Sequence, residues 1–224
     1  MRADFMNDDH ENWRAVVCRV CRLMDASDAV SSLDELARSA GYSRFHFHRM
    51  FKAFTGVTPH EYMAAGRARR VRAELRRADT VSEAIYNSGF NSNGRFYAVS
   101  ADILGMTPGS FRSGGRGTAI HYAVGTSSLG AVLVATADRG VCAVLIGDRA
   151  EALRWRLGER FPHARLVGTD PVHTRAVRDA LSRAEPPRLG RELPAGVRRV
   201  AMAQRIRQLM RREGTDTATL RRAG

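Results

Sequence analysis

Between Gly41 and Pro59 the chain reads GYSRFHFHRMFKAFTGVTP, and between Gly89 and Pro108 it reads GFNSNGRFYAVSADILGMTP. Both stretches open on Gly-aromatic and close on Gly-x-Thr-Pro, with an apolar face between. A chain that writes one short object twice must build two alike units, and this limits the fold more than its composition does.

The caps show what the object is. Ser32-Leu-Asp-Glu35 and Thr80-Val-Ser-Glu83 have the spacing of capping boxes, in which a hydroxyl and a carboxylate satisfy free amides at a helix start. Leu33, Leu36, Ala37 and Ala40 follow in one copy, and Val81, Ala84 and Ile85 in the other, at helical spacing. Gly41 and Gly89 end these short helices, because glycine takes the left-handed backbone at little cost. A new cap then starts a second helix: Ser43 in the first copy, Asn91 or Ser92 in the second. The second helices are expected to bury Phe47, Met50, Phe51 and Phe54, and Phe96, Val99 and Ile103, before Gly56 and Gly105 stop them. Helix, glycine turn, helix, twice over, predicts two helix-turn-helix units.

A third capping box, Thr58-Pro-His-Glu61, opens one long connecting helix that runs to Ala78. Tyr62, Met63, Val71 and Leu75 can face the two units. Arg67, Arg69, Arg70, Arg72, Arg76 and Arg77 crowd the remainder, either as a solvated face or against phosphates. After Phe111 the pattern changes. RSGGRG, Arg112 to Gly117, reads as a flexible linker. Three apolar runs, 119–125, 131–137 and 141–147, are separated by short turns and read as an antiparallel meander. Asp148-Arg-Ala-Glu151 then reads as the cap of a helix carrying Leu153 and Leu157.

The expected fold class is an all-α double helix-turn-helix DNA-binding domain followed by an α+β domain of antiparallel meander plus helices. The boundaries are a polar N-terminal tail at 1–13, the double helix-turn-helix at 14–111, and the linker at 112–118. The α+β domain comes next, at 119–190, and then a partial helical segment at 191–224.

These paired units on a long helix resemble the DNA-binding domain of the AraC family of transcription regulators. GFNSNGRFY running into LGMTPGSFRSGG is similar, more narrowly, to the adaptive-response regulators that are also methyl-accepting DNA repair proteins. The resemblance implies double-stranded DNA as the partner and RNA polymerase as a further one. On the first recognition helix, Arg44, Phe45, His48, Arg49 and Lys52 lie off the buried face, and the positions of Phe45, His48 and Arg49 are those that read bases in the family. On the second, Asn91, Ser92, Asn93 and Arg95 stand near the start. Arg suits guanine O6 and N7, Asn suits adenine N6 and N7, and an aromatic ring can press on a thymine methyl. Two units on one connecting helix would meet successive major-groove faces about one turn, ~34 Å, apart, so that a single chain reads an asymmetric site without dimerising.

The segment from 119 onward resembles the front subdomain of the O6-alkylguanine-DNA methyltransferases, and 193–214 loosely resembles the helix that opens their catalytic subdomain. Members of that family attack the alkyl carbon with a cysteine in a Pro-Cys-His-Arg motif. The chain holds no such motif, and its last cysteine, Cys142, sits in an apolar strand. The expectation is therefore a regulator and not an enzyme. Two alternatives stay open: a methylated-DNA-protein-cysteine methyltransferase with an unrecognised acceptor, or a remnant second half serving as an interaction module. The N-terminal zinc-bound cysteine domain of the adaptive-response regulators also has no match, since only Cys18 and Cys21 precede the repeat. These two read as buried residues of a first helix, with Val17 and Met24 on the same face. His46 and His48 stand two apart on a helix and point in different directions, so they cannot easily share one metal. No cofactor and no metal are expected.

The formal charge of +13 fits a polyanionic partner. It is weighted away from the start, with a net of −2 over residues 1–30, +6 over 31–117 and +9 over 118–224. Lys52 is the single lysine among 36 basic residues, so an arginine-biased composition accounts for part of the excess. Three cysteines offer no disulfide framework, and no apolar run approaches the ~18 residues of a membrane span. With a polar, acidic start, the expected location is the cytoplasm.

Overall fold

The computed structural model describes residues 2–26, 32–90, 92–168 and 171–212. By contacts the chain forms two compact units, 1–66 with 186–205, and 67–185 with 206–224.

The first unit is helical: α1 (Arg2–Ala26), α2 (Leu33–Ala40), α3 (Arg44–Thr55) and the opening of α4 (Pro59–Arg77). It also holds a 3-10 turn at Arg188–Gly190 and the first part of α10 (Ala195–Arg212). Its core gathers Trp13, Val17, Val20 and Cys21 of α1 against Phe47, Phe51 and Phe54 of α3 and Tyr62 of α4. Leu193, Val197 and Ala201 complete that core, although more than 130 residues of chain separate them from α3. The stretch 1–13, expected as a polar tail, is helical from Arg2. Apolar residues are too sparse there for a helical period to register. Tertiary contacts hold its end: Trp13 lies 4.2 Å from the Tyr42 ring, and His10 lies 5.1 Å from Phe54.

The second unit joins the rest of α4 to α5 (Val81–Asn87), α6 (Asn93–Leu104), α7 (Pro108–Arg112), β1 (Ala119–Ser127), β2 (Gly130–Ala137) and β3 (Gly140–Gly147). After these come α8 (Ala150–Arg160), β4 (Arg165–Gly168), α9 (Pro171–Ala184) and the end of α10. The meander is present, with β1–β2 and β2–β3 antiparallel. The sheet is mixed, however, because β4 pairs parallel to β1 and gives the order β3-β2-β1-β4. A four-residue strand of sequence RLVG carries too little alternation to be seen in advance. Alternation along β2 divides the packing: Ala131, Leu133, Ala135 and Ala137 join the main core, while Thr136 lies against His173 of α9.

That core does not belong to the sheet alone. Leu75, Ile85, Phe96, Leu104 and Phe111 from the helices pack with Leu133, Leu145, Leu153 and Phe161. The second helix-turn-helix and the sheet therefore fold as one body, and the glycine-rich stretch between them is not a free linker. Gly114, Gly115 and Gly117 adopt positive φ and turn the chain, so that Gly115 N donates to Ser110 O at 2.7 Å and His163 N to Gly114 O at 3.0 Å. Glycine is needed here both for the left-handed turns and because a Cβ on Gly115 would meet the Ala164 Cβ at 2.7 Å.

Two further expectations need correction. The cap position of α8 is Arg149, with no side-chain cap bond, so the Asp148-to-Glu151 box does not form. On α6 the buried residues are Phe96, Ser100 and Leu104, while Val99 is exposed and Ile103 is half-buried. Ser100 can go inside because its hydroxyl donates to Tyr97 O at 3.0 Å, which removes the usual cost of burying a polar group. Counting only apolar residues turned the face by about one position.

Candidate nucleic-acid interface

In the first unit both predicted bonds of the Ser32 capping box are made: Glu35 N donates to Ser32 Oγ at 3.1 Å, and Ser32 N to Glu35 Oε2 at 2.9 Å. Gly41 stands at φ 80°, and Tyr42 N donates to Ala37 O at 3.0 Å, closing α2. Ser43 Oγ accepts from His46 N at 3.4 Å and starts α3. With Phe47, Phe51 and Phe54 buried, the helix must turn its other side outward. That side holds Arg44, Phe45, Arg49 and Lys52, all exposed, with His48 half-buried.

Phe45 is 86% exposed, a large apolar surface left in water. Arg44 lies 3.7 Å from Asp34, a solvent-exposed pair of little strength. Arg49 reaches His46 instead, Nη2 to Nδ1 at 3.3 Å. His46 in turn sits 5.1 Å from Trp13, edge on, and 5.5 Å from Tyr42. His46, which the sequence offers only as a metal candidate, is the residue that orients Arg49. Its signal was the i, i+3 spacing between the two.

The second unit repeats the device with differences. Thr80 Oγ1 accepts from Glu83 N at 3.1 Å, but the Glu83 carboxylate turns to Asp79 N, also at 3.1 Å. Gly89 is at φ 76°. Ser92 caps α6, its Oγ accepting from Arg95 N at 3.3 Å. Asn91 lies outside the described residues. Asn93 and Arg95 are exposed at the start of the helix, as is Ser92. Tyr97, 55% exposed one turn beyond Asn93, was missed. Aligning Phe96 with Phe47 sets Tyr97 opposite His48, Arg95 opposite His46 and Ala98 opposite Arg49, so the repeat itself carried that signal.

The connecting arginines separate on inspection. Arg72 is buried, and its Nε and Nη2 donate to Ile103 O at 3.0 and 2.7 Å, tying α4 to the end of α6. It braces two helices and is set apart from a run turned to solvent or to the phosphates of a duplex. Of the three thiols, Cys21 and Cys142 are inward, while Cys18, expected inside as well, is half-buried because it stands at the edge of the α1 face that packs on the core. Burial pushes Cys21 up to about 12 and Cys142 up to about 12, and Cys142 Sγ donates to Ala135 O at 3.4 Å. Neither is a thiolate near neutral pH.

Fold and site thus define a protein with two helix-turn-helix units, each presenting the polar side of its second helix. Residues 36–114 match a helix-turn-helix domain family. The chain is 36% identical over 195 residues to the Escherichia coli protein named bifunctional transcriptional activator/DNA repair enzyme Ada, covering 87% of this chain and 55% of that one. It is 36% identical over 190 residues to the regulatory protein ada of Salmonella typhimurium, covering 85% and 54%. It is 31% identical over 84 residues to the probable transcription factor PqrA of Proteus vulgaris, covering 37% and 69%. The chain belongs to the AraC family of DNA-binding transcription regulators and is Ada-like within it. It spans about 55% of the length of the first of these relatives. No helix among the described residues is long and apolar enough to cross a membrane.

Proposed function

We propose that the protein binds specific double-stranded DNA sequences through α3 and α6 and regulates transcription there. In the first unit Phe45, His48 and Arg49 read base edges, while Arg44 and Lys52 hold phosphates. In the second, Asn93 and Arg95 read bases and Ser92 fixes the start of the helix, with Asn91, the residue before Ser92 in the sequence, as a further contact. The carrying observation is Phe45, a phenylalanine 86% exposed beside Arg49 on a helix whose opposite side is fully packed. An apolar ring in water costs free energy that contact with a thymine methyl recovers. RNA polymerase is the further partner, and alkylation damage to DNA the response served.

Selection of bound sequences from random duplexes tests the reading. The expected result is an enriched asymmetric site, and Arg49→Ala should weaken it by about 1–3 kcal/mol while relaxing preference at one base pair. Equal weakening on every sequence would reduce Arg49 to a phosphate contact, and no enrichment would end the proposal.

A second reading, methyl transfer to a protein thiol, draws on the repair activity in the name of the Escherichia coli relative. The buried, protonated Cys142 speaks against it. Incubation with duplex carrying labelled O6-methylguanine decides: transfer of label to wild type and not to Cys142→Ala would establish it.

A further inference from the structure

Four guanidinium groups of the second unit converge on one region of its core. Arg72 is held on Ile103 O, as described. Arg207 Nη1 donates to Val141 O at 2.7 Å. Arg76 lies 5.7 Å over the Phe111 ring, and Phe111 meets Phe161 edge on at 5.6 Å. Arg160 precedes Phe161 in the last turn of α8 and is half-buried.

These cations feel one another. Burial and then repulsion from Arg207 and Arg160 push Arg72 down, and burial followed by repulsion from Arg76 and Arg207 pushes Arg160 down to about 10. Burial likewise brings Arg207 down to about 10. At neutral pH all four stay charged. Cys142, the thiol among them, is neutral there.

Gathering like charges out of water is costly unless an anion joins them. Among the described residues, no carboxylate forms an ion pair with any of the four. The nearby Asp102 is taken by Arg211 at 3.0 Å. The carbonyls at Ile103 and Val141, and the helix ends under Arg76 and Arg160, supply partial negative charge only. Arg160 donates to no protein acceptor among the described residues, and Arg76 has only the Phe111 ring. Their donors, with those left over on Arg72 and Arg207, are of the planar forked kind that pairs with oxyanions.

We propose that Arg72, Arg76, Arg160 and Arg207 form a binding site for a small tetrahedral oxyanion of the phosphate class. The site is independent of base reading. Its charge is met by a free anion and not by the DNA backbone.

The test measures thermal unfolding of the full chain at pH 7.5 in sodium phosphate and in sodium chloride of equal ionic strength. The expected result is a saturable rise of several degrees in phosphate beyond that in chloride, as ligand linkage requires. Arg160→Gln and, separately, Arg76→Gln should each remove most of that difference. Identical curves in the two salts, or a difference unchanged in both variants, would overturn the site. Should Arg160→Gln unfold, the phosphorus NMR line width of inorganic phosphate titrated with wild-type protein substitutes for it. Broadening that Arg76→Gln abolishes supports the site, and no broadening refutes it. DNA affinity as a function of salt separates the two sources of phosphate. An unchanged slope in Arg76→Gln is expected, whereas a slope shallower by about 1, with no phosphate-specific stabilisation, would assign the cluster to the duplex backbone.

Discussion

Cys21 and Cys142 show how a side chain's surroundings decide its chemistry. Both sit fully inside, one among the helices of the first unit and one on a strand of the second, and burial lifts both from 9.0 to about 12. The folded state thus holds these protons more tightly than the unfolded chain does. Their contribution to stability is complete below pH 9 and is lost as pH rises from there toward 12. Each thiol should lower the unfolding free energy by about 1.4 kcal/mol per pH unit inside that window. Arg160 and Arg207, whose shifts run downward to about 10, act in the opposite sense, as do Arg72 and Arg76, so the Cys142 contribution is read as the difference between wild type and Cys142→Ala at each pH. In denaturant unfolding at pH 8, 9 and 10, wild type should lose about 1.4 kcal/mol more per pH unit above pH 9 than Cys142→Ala does. A pH dependence identical in the two proteins would mean that the Cys142 thiol ionises as readily in the fold as out of it. Arg49 makes the complementary point: its guanidinium is exposed, yet His46 at 3.3 Å gives it a preferred direction. An oriented, solvated arginine is what base recognition requires.

At the scale of the element, capping divides the labour. Ser92 is exposed beside Asn93 and Arg95, yet its hydroxyl already serves Arg95 N. Ser92→Ala should therefore cost about 1 kcal/mol of folding stability and leave base preference as it was. Asn93→Ala should do the reverse, with an unchanged unfolding midpoint and a relaxed preference at one base pair. Parallel melting curves and sequence selections on the two variants check this, and a changed base preference in Ser92→Ala would make the hydroxyl a reader. The caps were also what made the helix-turn-helix units legible from residues alone. Ser32, Ser43, Thr58 and Thr80 all act as the capping spacing requires, and Gly41, Gly56, Gly89 and Gly105 all take positive φ. These are local signals, each complete within about four residues of chain. What escaped was set by partners distant in sequence. His10 and Trp13 of α1 meet Phe54 and Tyr42, and β4 exists by pairing with β1. Arg72 escaped likewise, since nothing in a run of arginines singles out the one that reaches Ile103 O.

For the whole molecule the consequence lies in how its two cores are assembled. Sequence boundaries invited the view that residues 1–117 form a DNA-binding part separable from the remainder of the chain. The packing opposes this twice. The first unit's core includes Leu193, Val197 and Ala201, and the second helix-turn-helix shares its core with Leu133, Leu145, Leu153 and Phe161. Each buried leucine, valine or phenylalanine contributes about 1.5–3 kcal/mol, while a domain of this size is stable by only about 5–15 kcal/mol in total. Removing all of these residues at a stroke exceeds that margin, and it also uncovers Leu104 and Phe111. A fragment ending at Gly117 should therefore lose cooperative melting and bind specific DNA at least tenfold more weakly than the full chain, at equal salt. Calorimetry on the fragment and a titration with the selected duplex measure both. A fragment that melts sharply and binds with the full chain's affinity would show that the helical units stand without the sheet, and that the shared cores carry little of the stability assigned to them.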